Sequence, residues 1–197
     1  YMIWDDHEIM DGWGSYSKAE RKKLLNKFFQ HDDEETNDQI VRLMFEAAKQ
    51  VYFEYQHSHN PTTNIDLNPD NNVDCVWDYN FTAGGCGFYV LDMRGHHDYE
   101  RHSAGNALLG DLQMARLQTW LKKPSTKKAH SVFIVSPVPV VHWGPLVSSL
   151  DFGSLKDDMR DEWEHDTNTV ERNKLLNTVM TFSNDNNCTV TILSGDV

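Results

Sequence analysis

Phe88-Tyr89-Val90-Leu91-Asp92-Met93-Arg94 runs from four apolar residues straight into a carboxylate and a guanidinium. A short apolar run after a glycine-rich turn at Gly84 to Gly87 predicts a buried strand. The same grammar recurs along the chain. Val132 to Val135 is a second apolar run, stopped by Ser136-Pro137-Val138-Pro139, because a proline has no N–H to give to a ladder. Thr189 to Leu193 is a third and ends at Ser194-Gly195-Asp196-Val197. Tyr1 to Trp4 reads as the end of another buried strand, leading into Asp5-Asp6-His7-Glu8. Val73 to Tyr79 alternates apolar and acidic residues, as a strand with one wet face does.

Helices are expected between these strands. Ser17 with Glu20 forms a capping box, and Leu24, Leu25, Phe28 and Phe29 supply an apolar face. Thr36 with Gln39 starts a longer helix, with Ile40, Met44, Ala47, Val51 and Tyr55 at helical spacing. Met114, Leu117, Trp120 and Leu121 mark a helix that stops before Pro124, and another covers about 169–182. The segment His57 to Asn72, rich in Asn, Asp and Pro, reads as loop. Alternation of strands and helices argues an α/β layering.

Composition narrows the function classes. The 197 residues are 39% hydrophobic and 24% charged, enough for a core, and no apolar run is long enough to cross a bilayer. The formal net charge of -12 argues against a nucleic-acid-binding surface, which calls for a basic stripe. Cys75, Cys86 and Cys188 have no metal-type spacing and read as small buried hydrophobes.

Three polar clusters fall at predicted strand ends: Asp5-Asp6-His7-Glu8, Asp92-Met93-Arg94 and Gly195-Asp196. Ligands of α/β sheets bind outside the carboxyl ends of strands. Carboxylate with imidazole suits metal ions, and metal ions let an acidic protein accept an anionic phosphate ester, polarise it and activate water. Arg94 is then a candidate forked donor to a phosphoryl oxygen. Taken singly, each cluster is as readily a solvated turn, and His31, His57, His59, His96, His97, His102, His130 and His165 read as surface histidines. Trp13, Trp143 and Trp163 suit a core or a pocket wall.

Trp4-Asp5-Asp6-His7-Glu8 resembles the Trp-Asp-Asp-His-Glu motif of the PhoD-like phosphatases. The later landmarks resemble that family in the same order. They are Leu91-Asp92-Met93-Arg94, Leu109-Gly110 with Gln113, Leu117 and Trp120-Leu121, then Ser136 to Pro139, Asp161-Glu162-Trp163 with Arg172 and Leu175-Leu176, and Ser194 to Val197. The resemblance implies a calcineurin-like metallophosphoesterase sandwich, two sheets flanked by helices. Residues 1–197 would be the central and C-terminal part of one catalytic domain, incomplete because the family's first metal ligands precede Trp-Asp-Asp-His-Glu and its next histidine follows Gly-Asp-Val. It also implies a phosphatase acting on mono- or diesters through metal-activated water, with iron and calcium as the family's metals and manganese or zinc as further candidates. Asp6 and Asp196 match metal ligands, Asp5 a residue behind them, and His7 the histidine that contacts phosphate or protonates the leaving oxygen. The span by itself is expected to be inactive. The alternative is a non-catalytic metal- or partner-binding module on the same fold.

Overall fold

The structure is a computed structural model. It describes residues 2–13, 16, 18–29, 34–61, 77–95, 108–141, 163, 165 and 168–195. Four strands form one sheet in sequential order: β1 (Tyr79–Ala83), β2 (Cys86–Val90), β3 (Ser131–Ser136) and β4 (Thr189–Ser194). The first pair is an antiparallel hairpin with Tyr79 opposite Val90 and Ala83 opposite Cys86. Its two-residue turn, Gly84-Gly85, has φ of 57° and 79°. Both values are positive, which only glycine adopts freely and which matches the twist of a tight hairpin.

The strands β2, β3 and β4 are parallel, with Phe88 beside Phe133 and Phe133 beside Thr191. Parallel neighbours need a crossover. The first carries α3 (Gly110–Leu121) and the four-residue α4 (Pro124–Lys127), and the second ends in α5 (Thr169–Asn186). Asn187, at φ 46°, closes α5 in the left-handed conformation. These helices cover one face of the sheet. Val132 and Ile134 from β3, Tyr89 from β2, Leu117 and Trp120 from α3, and Leu175 and Val179 from α5 share one buried core. Leu117 is fully buried, and its truncation to alanine would cost about 2–5 kcal/mol. The opposite face carries Phe81, Phe88 and Phe133, stacked at centroid distances of 4.7 and 4.9 Å and only half-buried.

Before the sheet, α1 (Lys18–Phe29) packs on α2 (Glu34–Tyr55). The expected apolar faces are only partly right. Leu25 is buried, but Phe28 and Phe29 are exposed, as are Val51 and Tyr55 of α2. The inward stripe of α2 is the buried Val41 and Tyr52 with the half-buried Phe45 between them, rotated by about one residue, or 100°. Both stripes are apolar in sequence. The chosen one faces tryptophans: Trp4 stacks on Tyr52 at 4.9 Å and Trp13 on Phe45 at 5.3 Å.

Two further expectations are corrected. Met2 to Trp4 forms no strand, since its backbone is held by side chains: the Tyr52 and Tyr79 hydroxyls donate to Met2 O, each at 3.1 Å. The strand placed at 73–79 begins only at Tyr79 and runs on to Ala83, with 73–76 outside the described residues. His57 is also no surface histidine. It lies in a short turn, 4% exposed, edge-on to Trp77 at 4.9 Å.

Candidate active site

The site is built on the turn just past β2. Leu91 N–H still reaches Val135 O at 2.8 Å, so the sheet's pairing runs to the edge of this turn. There Asp92 is fully buried. Its Oδ1 accepts Trp4 Nε1 at 2.9 Å, Arg94 N at 3.0 Å and Gly95 N at 2.9 Å, and its Oδ2 accepts Trp77 N at 2.9 Å. Its backbone pairs reciprocally with the Gln113 amide, N–H to Oε1 at 2.8 Å and Nε2 to O at 2.7 Å. Asp92 thus joins β2, α3 and the segment around Trp4. Gln113 and Trp4 are the members whose role sequence order alone does not reveal.

From Trp4 the chain enters a turn of 3-10 helix over Asp6–Glu8. Asp5 N donates to Glu8 Oε2 at 2.8 Å, closing the turn from its start. The two neighbouring aspartates have different tasks. Asp5 takes Arg94: the guanidinium Nε lies 2.5 Å from Asp5 Oδ1, its Nη1 donates to Trp13 O at 3.0 Å, and its Nη2 lies 3.7 Å from Asp6 Oδ1. Arg94 is only 2% exposed. Asp6 is held by backbone instead, with Oδ1 accepting His7 N at 2.9 Å and Oδ2 accepting Gly12 N at 2.8 Å. Gly12 has φ 70°, a left-handed bend by which the chain turns away from this donor toward the buried Trp13.

His7 and Asp11 complete the turn at the surface. His7 Nε2 and Asp11 Oδ1 are 3.0 Å apart, and their side chains are 76% and 69% exposed. The Asp6 carboxylate first, and the Asp11 hydrogen bond next, raise the His7 pKa above its ordinary value. Ligand atoms of Asp6, His7 and Asp11 lie within 4.8 Å of one another, close enough to share a cation. Hard carboxylate oxygens with one imidazole form a donor set that fits a first-row or alkaline-earth metal. Asp11 did not stand out in the sequence. The signal that could have found it is its spacing four residues after His7.

The structure therefore brings Asp6, His7 and Arg94 together, and Asp196 lies outside the described residues. The neighbouring strand end is tied in by Ser136, which donates to Val138 O at 2.6 Å, receives Trp163 Nε1 at 3.3 Å, and accepts Gly195 N on its carbonyl at 3.3 Å. Trp13 and Trp163 are both core residues. Trp143 is outside the described residues, as are His31, His96, His97 and His102. Among the described residues, no helix is long and apolar enough to cross a membrane.

No curated protein matches this sequence. A solved structure of PhoD superposes with a TM-score of 0.59 at 23% identity, covering 99% of this chain and 34% of its own, which is a likeness of fold. The family model of the PhoD-like phosphatases matches residues 1–197. With that match over its whole length, the chain belongs to the PhoD-like phosphatase family.

Proposed function

We propose that this chain carries part of the site of a metal-dependent phosphatase that hydrolyses phosphate mono- or diesters. The observation that carries the reading is the Asp6, His7 and Asp11 cluster beside the end of β2. Asp6 is the metal ligand of the pair Asp5-Asp6. Its two backbone donors fix the carboxylate while leaving lone pairs for a cation, whereas Asp5 is engaged by Arg94. Metal ions bound there, iron and calcium by family likeness, would polarise the phosphoryl oxygens and lower the pKa of water. Asp196 is proposed as a further ligand by its place in the Ser-Gly-Asp-Val motif.

His7 is the general acid. It is exposed to an incoming ester, and the carboxylates of Asp6 and Asp11 favour the protonated ring. Arg94 is expected to act differently from a phosphate clamp. Its burial and its contacts with Asp5, Asp6 and Trp13 O support a positioning role, holding the aspartate turn against the sheet. The half-buried phenylalanine face of the sheet supports the second layer of a calcineurin-like sandwich, with residues 1–197 as a portion of one catalytic domain.

The test separates binding from chemistry. Elemental analysis is run on the full-length protein that carries this span, with iron, calcium, manganese and zinc supplied, followed by turnover of a phosphomonoester and a phosphodiester. Asp6→Ala should lose metal. His7→Ala should keep its metal and lose about 10²–10⁴-fold in turnover. Full metal content and near-normal rates in both variants would remove these roles. Metal binding without turnover in the parent protein would favour a non-catalytic module.

A further inference from the structure

Sheet pairing ends one residue before the buried carboxylate. Leu91 N–H still bonds Val135 O, but the N–H and C=O of Asp92 lie past that last rung, in a residue with no exposed surface. A side chain takes over there. Gln113 of α3, itself fully buried, accepts Asp92 N on Oε1 at 2.8 Å and donates from Nε2 to Asp92 O at 2.7 Å. A carboxamide carries a neutral donor and a neutral acceptor side by side, so it can copy the peptide group that one more rung would present. Gln113 is held in its turn. Its Nε2 reaches Leu109 O at 3.4 Å, and the Glu171 carboxylate of α5 accepts Leu108 N at 2.6 Å and Gly110 N at 2.9 Å, which fixes the start of α3.

The residue that Gln113 holds is the point from which the aspartate turn is fixed on both sides. On one side Asp92 Oδ1 accepts Arg94 N at 3.0 Å, and the Arg94 guanidinium meets Asp5 Oδ1 at 2.5 Å and lies 3.7 Å from Asp6 Oδ1. On the other side the same Oδ1 accepts Trp4 Nε1 at 2.9 Å, one residue before Asp5. We propose that Gln113 is a positioning residue for the cation-binding turn: its carboxamide sets the Asp92 peptide and, through Arg94 and Trp4, the place of the Asp6 carboxylate. The inference rests on the metal-ligand role proposed for Asp6. A buried glutamine that only satisfied two backbone groups would spread its loss over the whole fold when replaced. One that positions the turn concentrates the loss in residues 2–8 and 91–95.

The experiment is amide hydrogen exchange read by mass spectrometry on the full-length protein that carries this span, first without added metal. The variant is Gln113→Met, which keeps an unbranched side chain of similar length and removes both polar ends. Val179→Ala, in the core beneath α5, is the control for a loss of stability that does not touch the turn. Exchange in residues 2–8 and 91–95 is expected to quicken about tenfold or more relative to β3 in Gln113→Met, and to keep its ratio to β3 in Val179→Ala. Titration with manganese follows, with Gln113→Met expected to bind about tenfold more weakly and Val179→Ala to bind as the parent does. If Gln113→Met does not fold, Gln113→Asn is read in its place, since it keeps both groups and draws them back by one methylene. The proposal is overturned by unchanged exchange in the turn, by equal quickening of the turn and β3, by failure of both variants to fold, or by unaltered manganese affinity beside a loosened turn. A parent that binds no manganese, with the turn still loosened by the substitution, removes the metal reading of Asp6 and leaves Gln113 as the residue that places the turn.

Discussion

Two buried carboxylates stand at the same end of this molecule, and they are used in opposite ways. Asp92, fully buried, accepts four N–H donors, which fills the lone pairs a carboxylate offers. Asp6, 5% exposed, accepts two backbone donors and keeps acceptor capacity toward His7 and Asp11. The first is sealed and the second is open. A sealed carboxylate can only hold structure, since any further ligand would have to displace a donor. An open one, fixed by backbone, can bind a cation without the loop rearranging.

The largest expected effect breaks the sealed side. Asp92→Ala strands Trp4 Nε1 and three backbone N–H groups in the interior. Each buried unsatisfied group costs about 1–3 kcal/mol, and relaxation makes the sum sub-additive. A loss of more than about 3 kcal/mol in urea unfolding is expected, with Asp6→Ala costing less than half as much. Equal losses in the two variants would show that Asp6 too is structural, and the contrast would fail.

Two histidines sharpen the contrast through pH. On the sealed side, burial pushes the His57 pKa down to about 4. An unfolded histidine titrates near 6.5, so between about pH 6.5 and 4 the unfolded chain binds a proton that the folded one refuses. Stability should therefore fall as pH drops through that window, by up to about 3 kcal/mol. His57→Gln should show a shallower fall than the parent, measured as the difference in urea midpoints at pH 7 and 5. His7 has the opposite sign. Its raised pKa means that any stability it adds is present in acid and lost as pH rises through the folded value. Its exposure makes that contribution small. An equal response of His7→Gln and His57→Gln would erase the distinction between the two sides.

Much of this was legible in the sequence. The apolar runs ending in Asp92, Ser136 and Ser194 are strands, and the helices that cross between them are where periodicity puts them. Local pattern sufficed because each element carries its own period. The face of α2 was not legible, because its two apolar stripes differ only in what they meet, and the tryptophans that decide come from distant positions. The site divides in the same way. Asp6 and His7 announce themselves by adjacency. The separate tasks of Asp5 and Asp6 depend on Arg94, far along the chain, and on which oxygen a backbone N–H reaches. No spacing rule encodes that choice.

Gly12 gives the smallest effect and the finest test of the open side. Its N–H is one of the two donors fixing Asp6, and its φ of 70° is the bend by which the chain leaves that donor toward Trp13. Alanine keeps the N–H but pays for the left-handed conformation, about 1–2 kcal/mol. Gly12→Ala should therefore lose about 1 kcal/mol of stability and, if the bend relaxes, part of its metal affinity. Gly12 is also buried, so a clash could produce the same loss. Asparagine separates the causes, because it tolerates the left-handed region better than alanine yet is the larger residue. If conformation governs, Gly12→Asn is the milder variant in both urea unfolding and metal titration. If space governs, asparagine is the worse of the two, and the turn that opens Asp6 is set by packing against its neighbours and not by the backbone bend.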